Sequence, residues 1–173
     1  STQYYRLALD TSGAASGGGL ANYNNYFSAE PTTTTFSVGN EGLGNSSGQT
    51  YVAYLFANDD QRFGEDSDEA AIKVGTYTGN GSSTGPTVDL GFEPQFILIK
   101  SIGSSDSWGI FDTMRGIRTV GNDAYLQANT GDVEFDNADW LDLTATGFNI
   151  TNSADFVNKS STQYIYMAIR RPH

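Results

Sequence analysis

The densest cluster of chemically active side chains in this sequence is an acidic loop at residues 58–69, NDDQRFGEDSDE. Ca²⁺ takes carboxylate oxygens in irregular loops, and Gly64 would allow the chain to bend around an ion. The spacing differs from an EF-hand, in which acidic or amide residues alternate before a glycine. The sequence therefore predicts either a calcium site or a solvated loop whose charge resists aggregation. The candidate calcium ligands are Asp59, Asp60, Glu65, Asp66 and Asp68.

A second group of side chains could bind a sugar. A Trp ring can stack on the face of a sugar, and an Arg can face a glycan carboxylate. Trp108 lies two residues before an apolar pair and is expected in the core, whereas Trp140 lies in an acidic turn and is expected at the surface. Arg115 could instead form an internal ion pair with Asp112 that holds a turn. The candidate ligand-binding residues are Trp140, Trp108, Arg115 and Asp112.

Hydrolysis by a histidine-activated nucleophile is disfavoured by the residue content. The sequence has one histidine, His173, and no cysteine. A Ser-His-Asp triad needs a histidine beside the nucleophile, and a zinc site needs several His or Cys ligands. We therefore expect neither kind of site, and no disulfide holds the fold.

Glycoside cleavage is the remaining enzymatic alternative, because two carboxylates across a groove can carry it. Asp112, with Glu93 and Asp106 on flanking turns, could supply the pair. However, the dipeptide Asp-Thr stands at 112–113 and again at 10–11, and an Asp in this setting commonly binds backbone N–H groups of a turn. A repeated dipeptide suits a structural role better than a single active site. We therefore expect that the protein is not an enzyme, with a glycan depolymerase as the weakest alternative.

The charge balance argues against nucleic acid and anionic membranes as partners. The 173 residues include 20 Asp and Glu but 9 Lys and Arg, which gives a formal net charge of −11. Phosphate backbones and anionic lipid surfaces both require clusters of basic side chains. No apolar run approaches the ~18 residues of a membrane-spanning helix. The charge instead suits a protein surface in a salty medium, or a site for cations.

Composition and patterning predict an all-β protein. Gly contributes 20 residues and Tyr and Phe ten each, which combines turn formers with aromatic strand residues. Short apolar segments bounded by turn residues predict an antiparallel β-sandwich of jelly-roll type, with one candidate helical turn at 137–145. Segment 95–100, after Pro94, is expected to be a central strand, and Asn80-Gly81 a turn at a tip. The predicted strands are 4–9, 51–57, 71–77, 95–100, 107–111, 124–128, 147–151 and 163–169.

Two distant segments of the sequence align with each other, which indicates an internal repeat. Segments 33–57 and 144–169 match at a phenylalanine, an asparagine and a tyrosine with nearly equal spacing. The first copy lacks a counterpart of strand 95–100, so residue 1 is not expected to be the natural start of the structural array. We expect a neighbouring chain or a preceding domain to supply the missing strand. The matched pairs are Phe36 with Phe148, Asn45 with Asn158, and Tyr51 with Tyr164.

The repeat predicts how the chain is organised. A partial copy occupies residues 1–57, an acidic connecting loop 58–70, and a complete copy 71–173. The two copies are expected to pack as one body with little or no helix.

Several strings in the chain resemble a known family. They are SGQTYVAYLFA, VGTYTGNGSSTGPTVDLGFEPQFILIKSIGSSDSWGIFDTMRG, TGFNIT and YIYMAIRRP. Together they resemble a repeat domain of phage virion proteins, usually described as tail fibres or tail-associated structural proteins, often of marine and cyanobacterial phages. The resemblance covers nearly the whole chain. It implies a location in the virion and carries no catalytic or binding residues with it.

The sequence therefore predicts a virion structural protein, used as a tail fibre, tail-associated or surface-decoration domain and in host attachment. Its expected partners are copies of itself and other virion proteins, with host-surface glycan as a further candidate and neither nucleic acid binding nor membrane insertion. No cofactor is expected apart from the candidate Ca²⁺. The alternative is a lectin-like module that recognises glycan through loop aromatics and Ca²⁺.

Overall fold

The chain divides into two compact units. The smaller unit comprises 1–7 and 15–55, and the larger unit comprises 8–14 and 56–173. The predicted packing of two copies as one body stays a prediction. The computed structural model describes residues 5–17, 26–40, 42–64, 69–117 and 119–172.

The described part of the smaller unit contains two short antiparallel strand pairs and one helical turn. Arg6 Nε donates a hydrogen bond to Tyr26 Oη at 3.0 Å, and the guanidinium carbon lies 5.1 Å from the centroid of that ring. The elements are β1 (Tyr5–Arg6), β2 (Ser16–Gly17), β3 (Phe27–Ala29), β4 (Ser37–Val38) and α1 (Gly42–Asn45). β1 pairs with β2, and β3 pairs with β4.

The larger unit contains two antiparallel sheets. Its elements are β5 (Ile72–Thr78), β6 (Thr87–Asp89), β7 (Pro94–Ser101), β8 (Gly109–Asp112), β9 (Tyr125–Gln127), β10 (Leu141–Thr144), β11 (Gly147–Ile150), α2 (Asp155–Asn158) and β12 (Gln163–Arg170). One sheet has the order β5-β12-β7-β8-β9, and the other has the order β10-β11-β6. β12 therefore lies between β5 and β7, and β7 lies between β12 and β8.

The two sheets of the larger unit pack over one apolar core. Side chains alternate along β12, where Tyr164, Tyr166 and Ala168 are buried and the residues between them are half-buried. Phe148 of β11 lies between the sheets, with its ring centroid 6.4 Å from that of Tyr77 and 5.8 Å from that of Tyr166. Edge-on aromatic pairs of this kind stabilise a core by roughly 0.5–1.5 kcal/mol beyond the area they bury. The all-β sandwich predicted from the sequence is confirmed.

Most predicted strands of the larger unit are confirmed. The segments 71–77, 95–100, 107–111, 124–128 and 147–151 correspond to β5, β7, β8, β9 and β11, and 163–169 corresponds to β12. β7 begins at Pro94 and has neighbours on both sides, as expected from its nearly continuous apolar run. In the smaller unit, the strand predicted at 4–9 is shorter and extends from Tyr5 to Arg6.

Two predictions of secondary structure are wrong. Residues 51–57 lie outside any strand, although their apolar pattern is that of one, and most of their large side chains are exposed. Residues 137–145 do not form a helical turn, because Leu141 and Leu143 alternate with polar residues and pair with β11 in a two-residue hairpin. The two helical turns α1 and α2 were not predicted, since four residues are too few to show a helical period.

Candidate functional site

Asp112 and Arg115 form a closed turn after β8. The Asp112 carboxylate accepts hydrogen bonds from the Arg115 backbone N–H at 2.7 Å and from Arg115 Nε at 2.8 Å. Arg115 Nη1 also donates to Glu134 Oε2 at 2.9 Å. The hydrogen bond that Arg115 donates to Glu134 raises the pKa of the guanidinium most, and the charge of Asp112 raises it further. Arg115 is thus an internal ion-pair partner, which was one of the two roles predicted for it.

Trp108 is a core residue, as predicted. Its side chain is buried, and its indole Nε1 donates to the carbonyl of Ala8 at 2.9 Å. Its backbone N–H donates to Asn129 Oδ1 at 2.8 Å. The indole therefore joins residue 8 to the start of β8 and does not present a face to solvent.

Trp140 is also buried, so the prediction that its indole is exposed is wrong. Its ring contacts Tyr125 and Phe156 edge-on, with centroid distances of 5.5 and 5.2 Å. The buried Asp123 carboxylate accepts the backbone N–H groups of Trp140 and Leu141 at 2.8 and 2.9 Å. These bonds hold residue 140 at the start of β10 with its ring turned into the core, although its sequence neighbours are acidic. Its Nε1 has no hydrogen-bond partner within the part of the chain that the structure describes.

The acidic loop is described only in part. Asp59 lies 3.6 Å from Lys73 Nζ and accepts a hydrogen bond from Gln61, and Asp60 lies 3.1 Å from Arg62 Nε. Three of the predicted calcium ligands, Glu65, Asp66 and Asp68, lie outside the described residues. Among the described residues, no three metal-ligating side chains gather in one place. Calcium binding by this loop stays a prediction.

The carboxylates considered for glycoside cleavage all have partners. Glu93 Oε1 accepts from Arg171 Nη1 at 2.7 Å, and the Asp106 carboxylate accepts the hydroxyl hydrogen of Ser104. Asp112 is occupied by Arg115, as described above. Each acid therefore has a local structural contact, and the expectation that the protein is not an enzyme stays a prediction.

Lys100 is a buried charged residue that no sequence motif marks. Its side chain is fully buried, and its Nζ donates to the carbonyls of Ser101 at 2.6 Å and Ser104 at 3.1 Å. Burial lowers the pKa of the ammonium, and the nearby Asp106 carboxylate opposes this effect. The amine closes the loop after β7, because it binds the carbonyls of two residues in that part of the chain.

One hydrogen-bonded polar group of the larger unit is a corner that we call the larger corner, formed by Asn158, Tyr164 and the backbone of α2. Tyr164 Oη donates to the carbonyl of Asp155 at 2.5 Å and accepts the N–H of Lys159 at 2.8 Å. Burial raises the pKa of this phenol. The side chain of Asn158 is fully buried, and its Nδ2 donates to the carbonyl of Asn152 at 3.0 Å.

The smaller unit contains the same corner, which we call the smaller corner, formed by Asn45, Tyr51 and the backbone of α1. Tyr51 Oη donates to the carbonyl of Gly42 at 2.8 Å and accepts the N–H of Ser46 at 2.9 Å. Asn45 Nδ2 donates to the carbonyl of Gly39 at 2.7 Å. All three bonds connect residues at the same sequence offsets as in the larger corner. The aligned pairs Asn45 with Asn158 and Tyr51 with Tyr164 therefore have equivalent local structures.

The two corners differ in what covers them. Tyr164 has 0% of its surface exposed and Tyr51 has 44%. Asn158 is buried and Asn45 is exposed. The sequence alignment identified these residues as equivalent, but it carried no signal that one corner is open.

The clefts of the larger unit lie near its end at Arg170. One cleft of about 330 Å³ is lined by Phe92, Glu93, Arg170 and Arg171, among others. Arg170 Nη2 lies 2.7 Å from Glu69 Oε1, and Arg171 pairs with Glu93. Both guanidinium groups are therefore partly neutralised by carboxylates, which makes this cleft a weak candidate for anion binding.

Comparison with known proteins gives one match. No curated protein and no solved structure matches the chain. In the described residues, no helix is long and apolar enough to cross a membrane. One family model matches residues 1–171 of the 173. The chain therefore belongs to the family described as Domain of unknown function (DUF7483).

Proposed function

We propose that this chain is a structural domain of a phage virion, in a tail fibre, a tail-associated protein or a surface-decoration protein. It works as a rigid β scaffold that packs into an assembly and presents loops, including loops for host attachment. Its partners are copies of itself and other virion proteins. The resemblance of strings spread over nearly the whole chain to phage virion repeat domains supports the proposal.

The structural observation that carries the proposal is that the larger corner is buried whereas the equivalent smaller corner is exposed. The segment after the smaller corner, 51–56, exposes large apolar side chains such as Val52 and Tyr54. Contiguous exposed apolar surface on a protein commonly marks an interaction site. In an assembly, a neighbouring subunit would bury this apolar surface.

The lectin-like alternative has less support. It relied on Trp108 and Trp140 as stacking platforms, and both rings are buried. It also relied on Arg115 and Asp112, which bind each other and Glu134. Glycan binding through Ca²⁺ would depend on the acidic loop alone.

Mass spectrometry of purified particles tests the virion role. Particles produced from the genome that encodes this chain are purified by density gradient and digested. The proposal predicts peptides of this chain at a copy number comparable with known structural proteins. If these peptides occur only in the lysate, the virion proposal is wrong.

Light scattering with and without EDTA separates the scaffold from the calcium-dependent module. A mass and a melting temperature that are indifferent to EDTA are expected for the scaffold. A monomer whose melting temperature falls in EDTA would favour the calcium-dependent module.

A further inference from the structure

We propose that the smaller corner is a docking site for a strand-and-tip segment of the kind formed by residues 72–82, supplied by another copy of this repeat. The inference rests on the internal geometry of the two corners. It does not depend on the virion role, because any assembly of this repeat would use the same contacts.

In the larger corner, residues 72–82 of the same chain occupy the position that we assign to the docking segment. Tyr77 of β5 lies stacked on Tyr164, with ring centroids 5.0 Å apart and an interplanar angle of 7°. Its ring meets Phe148 edge-on at 6.4 Å, and its hydroxyl donates to the carbonyl of Val157 at 2.7 Å. Tyr77 thus contacts both Phe148 and Tyr164, which are the counterparts of Phe36 and Tyr51 in the repeat.

The tip after β5 binds the asparagine of the corner. Asn158 Oδ1 accepts the N–H of Asn80 at 2.8 Å, and its Nδ2 donates to the carbonyl of Ser82 at 2.7 Å. The N–H of Gly81 donates to the backbone carbonyl of Asn158 at 2.9 Å. A Cβ on Gly79 would lie 2.4 Å from the carbonyl oxygen of Lys159, so the close approach requires glycine.

The equivalent positions of the smaller corner are open. Phe36, the counterpart of Phe148, has 40% of its surface exposed, and Tyr51 has 44%. An apolar cleft of about 300 Å³ adjoins Asn45. Its lining includes Tyr26, Phe27, Phe36, Val38 and Gly44. An incoming tyrosine at the position of Tyr77 would lie against Phe36 in this cleft, and Asn45 would receive the tip.

The segment after the smaller corner has the apolar pattern of a strand but lies outside any strand. Residues 51–57 align with β12, whose neighbours are β5 and β7. Strand addition would provide partners for their backbone groups and cover Tyr51 and Leu55, the counterparts of the buried Tyr164 and Ala168, which are 44% and 76% exposed. Because residues 72–82 of this chain already close its larger corner, the occupant comes from another copy of the repeat.

A labelled peptide that copies residues 70–86 tests the proposal against the full chain by fluorescence anisotropy. We expect saturable binding that weakens at least about tenfold in Asn45→Ala, because the tip loses its amide partner. Gln49→Ala, an exposed change beside the corner, serves as the protein control and should leave the affinity unchanged.

Two peptide variants make the test independent of how any protein variant folds. Gly79→Val in the peptide should abolish binding through a backbone clash, and Tyr77→Ser should abolish it through loss of the aromatic filling. Absence of binding by the unmodified peptide would overturn the proposal. Binding that survives both Asn45→Ala in the protein and Gly79→Val in the peptide would place the contact elsewhere and would also overturn it.

Discussion

Tyr51 and Tyr164 make the same pair of hydrogen bonds at the same sequence offsets. Each hydroxyl donates to the carbonyl nine residues earlier, at 2.8 and 2.5 Å, and accepts the N–H five residues earlier, at 2.9 and 2.8 Å. One of these tyrosines is fully buried and the other is nearly half exposed. The same local design is therefore a core element in one unit and an open surface in the other.

Removing the tyrosine hydroxyl should lower the stability more in the larger corner than in the smaller corner. Tyr164→Phe removes a hydroxyl from a side chain with no exposed surface and takes a partner from the part-buried carbonyl of Asp155 and N–H of Lys159, so we expect the free energy of unfolding to fall by roughly 1–3 kcal/mol. In Tyr51→Phe, water can replace the hydroxyl, and the loss should stay below about 1 kcal/mol. Urea unfolding of both variants, followed by circular dichroism, measures the difference. Equal losses of unfolding free energy in the two variants would mean that the contribution of each hydroxyl does not depend on how exposed its tyrosine is.

Glycine is required where β11 passes β6. A Cβ on Gly147 would lie 1.9 Å from the carbonyl oxygen of Val88, whereas nothing lies within 4 Å of a Cβ on Gly131. We expect Gly147→Ala to lower the unfolding free energy by about 1–3 kcal/mol, since the β6–β11 pairing must separate. Gly131→Ala is the matched control and should change it little. Similar melting temperatures for the two variants would contradict the observed strand spacing.

The hydrogen bond that Asp112 accepts from the Arg115 backbone N–H should contribute more to stability than the ion pair between the two side chains. Arg115→Ala removes a partly exposed ion pair and should cost less than about 1 kcal/mol, with an effect that shrinks in high salt. Asp112→Ala also removes the acceptor of a backbone N–H and should cost about 1 kcal/mol more. Thermal unfolding at low and high salt distinguishes the two contributions. A loss in Arg115→Ala as large as that in Asp112→Ala would show that the ion pair dominates.

Stability should decline in alkali. Burial raises the pKa of Tyr77 well above its ordinary value, and burial also raises the pKa of Tyr164. A phenol whose folded-state pKa is raised binds its proton more tightly in the native state. Its contribution is therefore fully present below the unfolded pKa of about 10 and is lost as the pH rises through the folded pKa.

Urea unfolding between about pH 8 and about pH 11, with tyrosinate absorbance as a second probe, measures this loss. Tyr164→Phe is the control and should show a shallower decline above about pH 10, because one titrating phenol is gone. If the unfolding free energy is flat over this range, the buried tyrosines are not linked to folding.

The sequence predicted the fold through its strongest periodic segments. β7 and β12 were evident because their apolar runs are long, and Pro94 marked the start of β7. The strand expected at 51–57 does not form, since strand pattern alone cannot provide the neighbours that strand pairing needs. Leu141 to Thr144 were assigned to a helical turn because four residues seldom distinguish a turn from a short hairpin strand.

The candidate site was only partly visible in the sequence. The repeat identified Asn45, Tyr51 and their counterparts, because identical side chains recur at nearly equal spacing. Neither the hydrogen bonds nor the difference in exposure could be read from spacing, since both depend on which distant strand lies over the corner. Trp140 was assigned to the surface from its acidic neighbours, but three-dimensional contacts with Tyr125 and Phe156 place its ring in the core.

Hydrogen exchange on residues 49–57 tests whether assembly completes the partial copy of the repeat. The isolated chain and the purified particle are compared by mass spectrometry, with the amides of β12 as the internal reference. We expect β12 to be protected in both samples, whereas 49–57 exchanges rapidly in the isolated chain and becomes protected in the particle. Equal exchange of 49–57 in the two samples would contradict the claim that assembly completes the open copy of the repeat.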